Sequence, residues 1–554
     1  MQFNKISIIT LSLLFFFLNG AFSQNYTRDK RNKGEINSSR NWWDVLKYDI
    51  EFEPFIQSKS LIGISNITYK VLESNHDKLM QIDLNSPLKI DSVFLGSEKI
   101  EVTNDSGVYY LKLPIQSKNS IHKISIYYSG NLTESTNPPW EGGWVFGKDA
   151  QNRPLVTVIS HGKSGTSAWF PGKDHPSDEP EQGASVKITV PDSLVGVSNG
   201  RLVEIKEFKN KKTFHWEVKN SINPQLIVPY IGKYVNFGQQ YPGLKGNLDL
   251  SYWVLDYNLE KAKIHFTKEV FPMLEAYEYW MGPYPFYEDS YKLIEVPYVG
   301  MEHQSAIAYG NNYKGGYNGV DISGVGLHTK WDFIIVHESA HEWFGNNIST
   351  RDLADNWVHE GLSSYAETLY VEYNYGSEIA HEYNFGTRKN IKNDKPIISE
   401  YNTYSLGSED MYAKAANMMH SIRNSINNDV KFRNILHGLN TKFQKQVVTS
   451  LDIEYFISTQ AGFDYKPVFN QYLRNTEIPV LEYYLDSSKG VIKYRYTNCI
   501  PNFSLPLVLT SKNAILRIQP TTTWKNTQLS ENQIKLIVEK AIEKKYYIKV
   551  NRLL

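Results

Sequence analysis

The sequence predicts a multidomain α+β protein: a β-rich first part, an α-rich middle and a small β tail. Three observations predict it. At 554 residues the chain exceeds what one hydrophobic core serves, so roughly two to four domains are expected. Short runs of β-branched and aromatic residues dominate from Trp42 to about Gln240 and return after Pro479. Between about Leu259 and Pro479, apolar residues recur at helical spacing instead.

The composition belongs to a folded chain, with 41% hydrophobic and 21% charged residues. The 59 basic and 59 acidic residues cancel, which argues against a nucleic-acid partner or a charge-driven membrane partner. Cys499 is the only cysteine, so no disulfide can form within one chain and core packing must supply the stability.

The first residues read as an export signal, 1–23. Lys5 precedes the apolar run Ile6 to Leu18, and Ala21-Phe22-Ser23 offers small residues for cleavage before Gln24. The run is shorter than a membrane-spanning helix needs. No membrane span is expected after cleavage, and the signal region holds no cysteine for lipid attachment. An exported protein follows, periplasmic, cell-surface or extracellular, and not a lipoprotein. Residues 24–41 are polar and charged and read as a flexible N-terminal segment.

The N-terminal β domain is expected at 42–244. Its strands include Lys47 to Phe52, Ile67 to Val71, Lys123 to Tyr128 and Val186 to Val190. The α-rich domain is expected at 245–479. It opens with an amphipathic helix from Ala262 to Trp280 that Gly282-Pro283 ends. A short strand follows at Lys292 to Val296. Further helices are expected near 330–345, 360–374, 411–427 and 451–459. The β module is expected at 480–554, with Val491 to Tyr496 as a strand and one helix near Glu531 to Lys544.

His337-Glu338-Ser339-Ala340-His341 matches the metal motif H-E-x-x-H. The surrounding apolar residues suit a buried helix that stops at Gly345. Residues four apart share a helix face, so His337 and His341 can converge on one zinc ion. Glu338 is rotated away from the metal and placed to reach a metal-bound water. Chance alone would put such a pentapeptide in a chain of this composition roughly one to two times in a hundred, so a second signal is needed. Trp357-Val358-His359-Glu360-Gly361 supplies it, opening another helical stretch in which Glu360 can be the third ligand. Two histidines and one carboxylate leave a coordination position open, as catalytic zinc sites do. Asp355 precedes Trp357 and could orient a zinc-binding histidine, and Glu367 lies seven residues after Glu360 on the same helix face.

His337 to His341, eighteen further residues and then Glu360 resemble the gluzincin aminopeptidases of family M1, whose pattern is H-E-x-x-H-x18-E in a Trp-x-x-Glu-Gly setting. Val299-Gly300-Met301-Glu302-His303 resembles that family's exopeptidase signature. Tyr412-Ala413-Lys414-Ala415 resembles its Tyr-x-Lys-Gly element, and Gly282-Pro283-Tyr284-Pro285-Phe286 resembles the segment before its active-site strand. The resemblance runs from about Asp44 to Pro479.

It implies a saddle-like, antiparallel N-terminal β domain, a thermolysin-like catalytic domain and one zinc ion. It implies an aminopeptidase that cleaves the N-terminal bond of peptides by attack of a zinc-bound water. Glu338 would be the base, and Tyr412 would stabilise the oxyanion. Glu302 would pair with the free amine, and the backbone of Gly300 and Met301 would run beside the substrate. Peptides with a free N-terminus are the implied partners. About 75 residues follow Pro479 and read mostly as strand, so the family's large helical C-terminal domain has no counterpart in them and a more open cleft is expected.

The pattern departs from the family at Val299, His303 and Ala415. It departs also in the β domain, where His161-Gly162-Lys163 stands in place of a second acceptor for the amine. Loss of amine recognition would make the chain a zinc endopeptidase of the same class. Loss of chemistry would leave a secreted binding protein on the same scaffold.

Overall fold

The strand Trp43–Phe55 organises the N-terminal domain. It pairs antiparallel with Ser60–Val71 on one side and parallel with Ala184–Pro191 on the other. Its residues alternate between core and surface as a half-buried strand requires, and a register shift between Val45 and Lys47 absorbs the one interruption. Six strands, 60–71, 121–131, 88–95, 184–191, 211–218 and 201–208, extend the sheet to both sides, and a short eighth strand, 98–99, closes one edge. Smaller sheets of four strands (143–148, 154–159, 195–197, 230–232) and three strands (80–83, 101–105, 108–112) complete the layer. Trp43, Tyr48, Phe52, Trp144, Trp169 and Trp216 lie in one core between them.

The computed structural model describes residues 34–75, 78–160 and 165–554. The expected signal peptide 1–23, residues 24–33 of the expected flexible segment, and His161-Gly162-Lys163 lie outside the described residues. Within 34–41, Arg40 is fully buried and its guanidinium contacts Asp83 at 2.5 Å. Among the described residues no helix is long and apolar enough to cross a membrane.

The α-rich region starts on a five-stranded sheet ordered 234–243, 246–255, 291–295, 307–309, 300–301. The hairpin Tyr234–Leu255 therefore spans the boundary expected at 244/245, and the chain enters this sheet at Tyr234. Strand Gly300–Met301 is its edge, paired antiparallel only with Ile307–Tyr309.

Eight helices follow: α1 Leu259–Met281, α2 Phe333–Ala340, α3 Trp357–Tyr375, α4 Ser377–Thr387, α5 Ala413–Ile426, α6 Asp429–Lys442, α7 Ser450–Ala461 and α8 Lys466–Arg474. The expected helices match α1, α2, α3, α5 and α7 within a few residues, and α4, α6 and α8 are additional. Helix α1 supports α2 from behind, with the Tyr277 hydroxyl donating to the Val336 carbonyl at 2.7 Å.

The C-terminal module has a four-stranded sheet (480–486, 491–497, 525–528, 549–552), a hairpin (507–511, 514–518) and two short helices, Glu531–Ile534 and Glu539–Lys545, where one was expected. It shares one hydrophobic core with the helices of the α-rich region. Tyr472 of α8 donates to the Tyr547 carbonyl at 2.6 Å, and the Tyr547 amide donates to Ser421 Oγ of α5 at 2.8 Å.

Candidate metal centre

Helix α2 begins at Asp332, which is fully buried and caps it. Its Oδ1 accepts the Ile334 and Ile335 amides at 3.0 and 3.2 Å and Asn311 Nδ2 at 2.8 Å. Its Oδ2 accepts the Tyr309 hydroxyl and His265 Nε2, both at 2.7 Å. Every lone pair of this buried carboxylate has a partner, which offsets its desolvation.

The helix then presents His337, Glu338 and His341 in two turns, all buried. Regular helix stops at Ala340 rather than at Gly345 as the sequence suggested. Residues 342–346 form a wide turn in which Phe344 (φ −128°, ψ 101°) and Gly345 (φ 124°) leave helical geometry. Gly345 takes a conformation that other residues rarely adopt. The break turns the Phe344 carbonyl back to accept His341 Nδ1 at 3.1 Å.

Helix α3 carries Glu360 in its first turn and Glu367 two turns on. Glu367 Oε1 accepts His337 Nδ1 at 2.7 Å, and Glu367 Oε2 accepts the Tyr383 hydroxyl of α4 at 2.6 Å. Both imidazoles thus spend Nδ1 on an outer partner and turn Nε2 inward. Glu360 Oε2 faces those atoms, 3.7 Å from His337 Nε2 and 3.3 Å from His341 Nε2. It is buried and takes no hydrogen bond. Tetrahedral ligands at zinc distances stand roughly 3.3–3.4 Å from one another. The three donor atoms lie within 4.8 Å of one another, so the site fits a zinc ion.

The electrostatics agree. Burial works to raise the Glu360 pKa, but the two imidazoles outweigh it and hold that carboxyl well below the usual range. Burial works against charge on His337, and Glu360 and Glu367 overcome it. A buried pocket that holds charge in this way suits a cation. Burial pushes the Glu338 carboxyl up to about 7, with Glu302 adding to the rise and both histidines opposing it.

Glu338 projects toward the edge strand. A Cβ on Gly300 would stand 2.6 Å from Ile334 Cγ2 and 3.1 Å from Glu338 Oε1, so only glycine lets the strand lie this close to α2. Met301 is buried and Glu302 half-buried, and the Glu302 carbonyl accepts Asn346 Nδ2 at 2.9 Å. Tyr412 precedes α5, and its hydroxyl donates to Glu360 Oε1 at 2.9 Å. Ala415, which departs from the family element, is fully buried beside Gly361.

The structure therefore gathers His337, His341, Glu360, Glu338, Tyr412 and the Gly300–Glu302 strand at one place. Asp355, expected as a possible orienter of a zinc-binding histidine, instead accepts the Tyr401 hydroxyl at 2.7 Å, and it is Glu367, expected only to share a helix face with Glu360, that holds His337. Tyr383, Ser363 and the Phe344 carbonyl escaped the sequence reading. Ser363 lies three residues after Glu360 on the same helix face, the only local signal among them, and its hydroxyl is 3.2 Å from His341 Nδ1.

Comparison with known proteins places this geometry. Residues 263–472 match the peptidase family M1 domain. The chain is 24% identical over 286 residues to aminopeptidase N of Canis lupus familiaris, a match that covers 50% of this chain and 28% of that protein. It is 20% identical over 442 residues to aminopeptidase N of Lactococcus lactis subsp. lactis, covering 76% of this chain and 50% of that one. The match thus spans half or less of these relatives. An M1 zinc metallopeptidase from Deinococcus radiodurans shares the fold at a TM-score of 0.65 with 18% identity, over 79% of this chain and 95% of that one. The helix pair and the three donors His337, His341 and Glu360 all lie within the segment that matches the peptidase family M1 domain.

Proposed function

We propose that the chain is a zinc-dependent aminopeptidase that releases N-terminal residues from peptides. The observation that carries this reading is the convergence of His337 Nε2, His341 Nε2 and the Glu360 carboxylate, with Glu338 and Glu302 beside them. His337, His341 and Glu360 would hold a zinc ion, which when bound would supply carbonyl polarisation and a water acidic enough to lose a proton near neutral pH.

The chain's own residues supply the rest. Glu302 pairs its carboxylate with the cationic amine of the peptide and so sets the first amide at the metal. The edge strand at Gly300 and Met301 offers its unpaired backbone to the extended substrate. Glu338 takes the proton of the attacking water and passes it to the leaving amine. The Tyr412 hydroxyl donates to the oxygen that gains charge.

Chelation, and Glu338→Gln with zinc still bound, should each abolish turnover of amino-acid amides. An endopeptidase would cleave N-acetylated peptides as well as free ones, whereas this enzyme should not. The sequence at 1–23 supports export. N-terminal sequencing of the mature protein should then begin at Gln24, and an intact Met1 would count against it.

A further inference from the structure

Between the strand Ile307–Tyr309 and helix α2 the chain makes a glycine-rich excursion that includes a tight hairpin. Tyr317 and Val320 exchange both backbone hydrogen bonds at 3.0 Å. Asn318 and Gly319 between them have φ of 52° and 90°, the paired positive values of the two-residue turn that Asn-Gly favours.

The hairpin is tied to the metal-site helix. Buried Asn311 shares the two N–H groups of Nδ2 among the Lys314 and Gly316 carbonyls and Asp332 Oδ1, all at 2.7–2.8 Å, and its Oδ1 accepts the Asn318 amide at 2.7 Å. The Gly316 amide donates to the Trp331 carbonyl at 2.7 Å. Asp332 caps α2, so the hairpin and His337 share one anchor.

Tyr317 is half-buried and meets Phe333 edge-on, with ring centroids 5.9 Å apart. Phe333 in turn stacks on the His337 imidazole at 5.3 Å and 13°. Burial raises the Tyr317 hydroxyl's pKa, and the Glu338 carboxylate is near enough to add to the rise. These rings form a wall at the N-terminal end of α2.

Glu302 lies toward the other end. The strand runs along the helix, from Gly300 beside Ile334 and Glu338 to Glu302, whose carbonyl accepts Asn346 Nδ2. Beyond it, the Ser305 amide donates to Glu342 Oε1 at 2.7 Å. A peptide with its amine at Glu302 and its first amide at the metal must therefore extend past Glu338 toward Phe333.

We infer that Tyr317 is a specificity-determining residue: with Phe333 it forms the aromatic wall against which the side chain of the peptide's second residue packs. The enzyme then favours apolar and aromatic second residues. This rests on the aminopeptidase reading above.

The test compares Leu-amide, which has no second residue, with Leu-Gly-amide and Leu-Phe-amide. Wild type should favour Leu-Phe-amide over Leu-Gly-amide in kcat/KM by about tenfold or more. Tyr317→Ala should shrink that ratio to about threefold or less, with Leu-Phe-amide turnover falling more than Leu-amide turnover and zinc retained. Tyr317→Phe keeps the ring and should keep the preference. A preference that Tyr317→Ala leaves intact overturns the inference, and so does an equal loss on all three substrates. Failure of wild type to hydrolyse Leu-amide or either dipeptide amide overturns the aminopeptidase reading instead.

Discussion

Glu367 on α3 accepts a 2.7 Å hydrogen bond from His337 Nδ1 on α2, and Tyr383 on α4 holds the far oxygen of the same carboxylate at 2.6 Å. Three helices thereby set the orientation of one imidazole. Outer partners of this kind typically contribute about 10–100-fold to metal affinity. Glu367→Ala should weaken zinc binding by about that factor in a chelator competition. Tyr383→Phe should lie between it and wild type. Unchanged affinity in Glu367→Ala would remove this carboxylate from the account.

Asp332 should be a stability residue rather than a chemical one. Asp332→Ala removes the helix cap, worth about 1 kcal/mol. It also leaves the buried Tyr309 hydroxyl without its acceptor, at about 1–3 kcal/mol for an unsatisfied group. Urea unfolding should register a loss of about 2–4 kcal/mol. A change below about 0.5 kcal/mol would contradict the network as described.

At Gly300 the edge strand and the base are in near contact. Gly300→Ala sets a methyl 2.6 Å from Ile334 Cγ2 and 3.1 Å from Glu338 Oε1, so the strand or the carboxylate must shift. Small displacements of a positioned group cost about 10–100-fold in rate. The loss should fall on kcat more than on KM, with zinc content unchanged. A variant as active as wild type would mean the strand yields freely.

The helices also carry a pair of histidines away from the candidate metal centre. His381 Nδ1 of α4 lies 2.8 Å from His420 Nε2 of α5, which is fully buried. Burial lowers the pKa of both, His381 to about 4, and Arg423 and Lys545 nearby reinforce the shift. The unfolded chain then binds more protons than the native one as pH drops through about 6.5, so stability falls with pH between about 6.5 and about 4. Urea midpoints at pH 7.5 and 5.0 should show this fall, and His381→Gln should flatten it relative to wild type. An equal slope in the variant would place the acid sensitivity elsewhere.

The legible part of the site is the part written in local spacing. His337 and His341 stand four apart, and Glu360 opens the next helical stretch, so their convergence can be read from the sequence alone. Glu302 and Tyr412 need the family pattern, because a single carboxylate or tyrosine carries no local signal. The outer partners are less accessible still. The sequence points to Asp355 as an orienter, and only the crossing of α2 over α3 shows that Glu367 meets the histidine instead. The Phe344 carbonyl becomes a partner because the helix breaks early, at a glycine that reads as a simple stop.

The fold follows the same rule. Strong amphipathic runs such as α1 and α3 are legible. Helix α4 is not, since it buries only Ala380, Tyr383 and Asn384. In α6 the spacing of Phe432, Ile435, Leu436 and Leu439 carries a helical signal that was there to be read. The Tyr234–Leu255 hairpin hides the domain boundary, because one strand pattern serves two sheets in succession.

The central claim is tested most directly by hydrolysis of Leu-amide and of a tripeptide with free or acetylated N-terminus. Wild type and Glu338→Gln should be compared, each with zinc content measured. Wild type should release leucine from the amide and the first residue from the free tripeptide, and should spare the acetylated one. Glu338→Gln should retain zinc and lose about 10²–10⁴-fold in rate. Cleavage of the acetylated peptide at the rate of the free one, or full activity in Glu338→Gln, would contradict it.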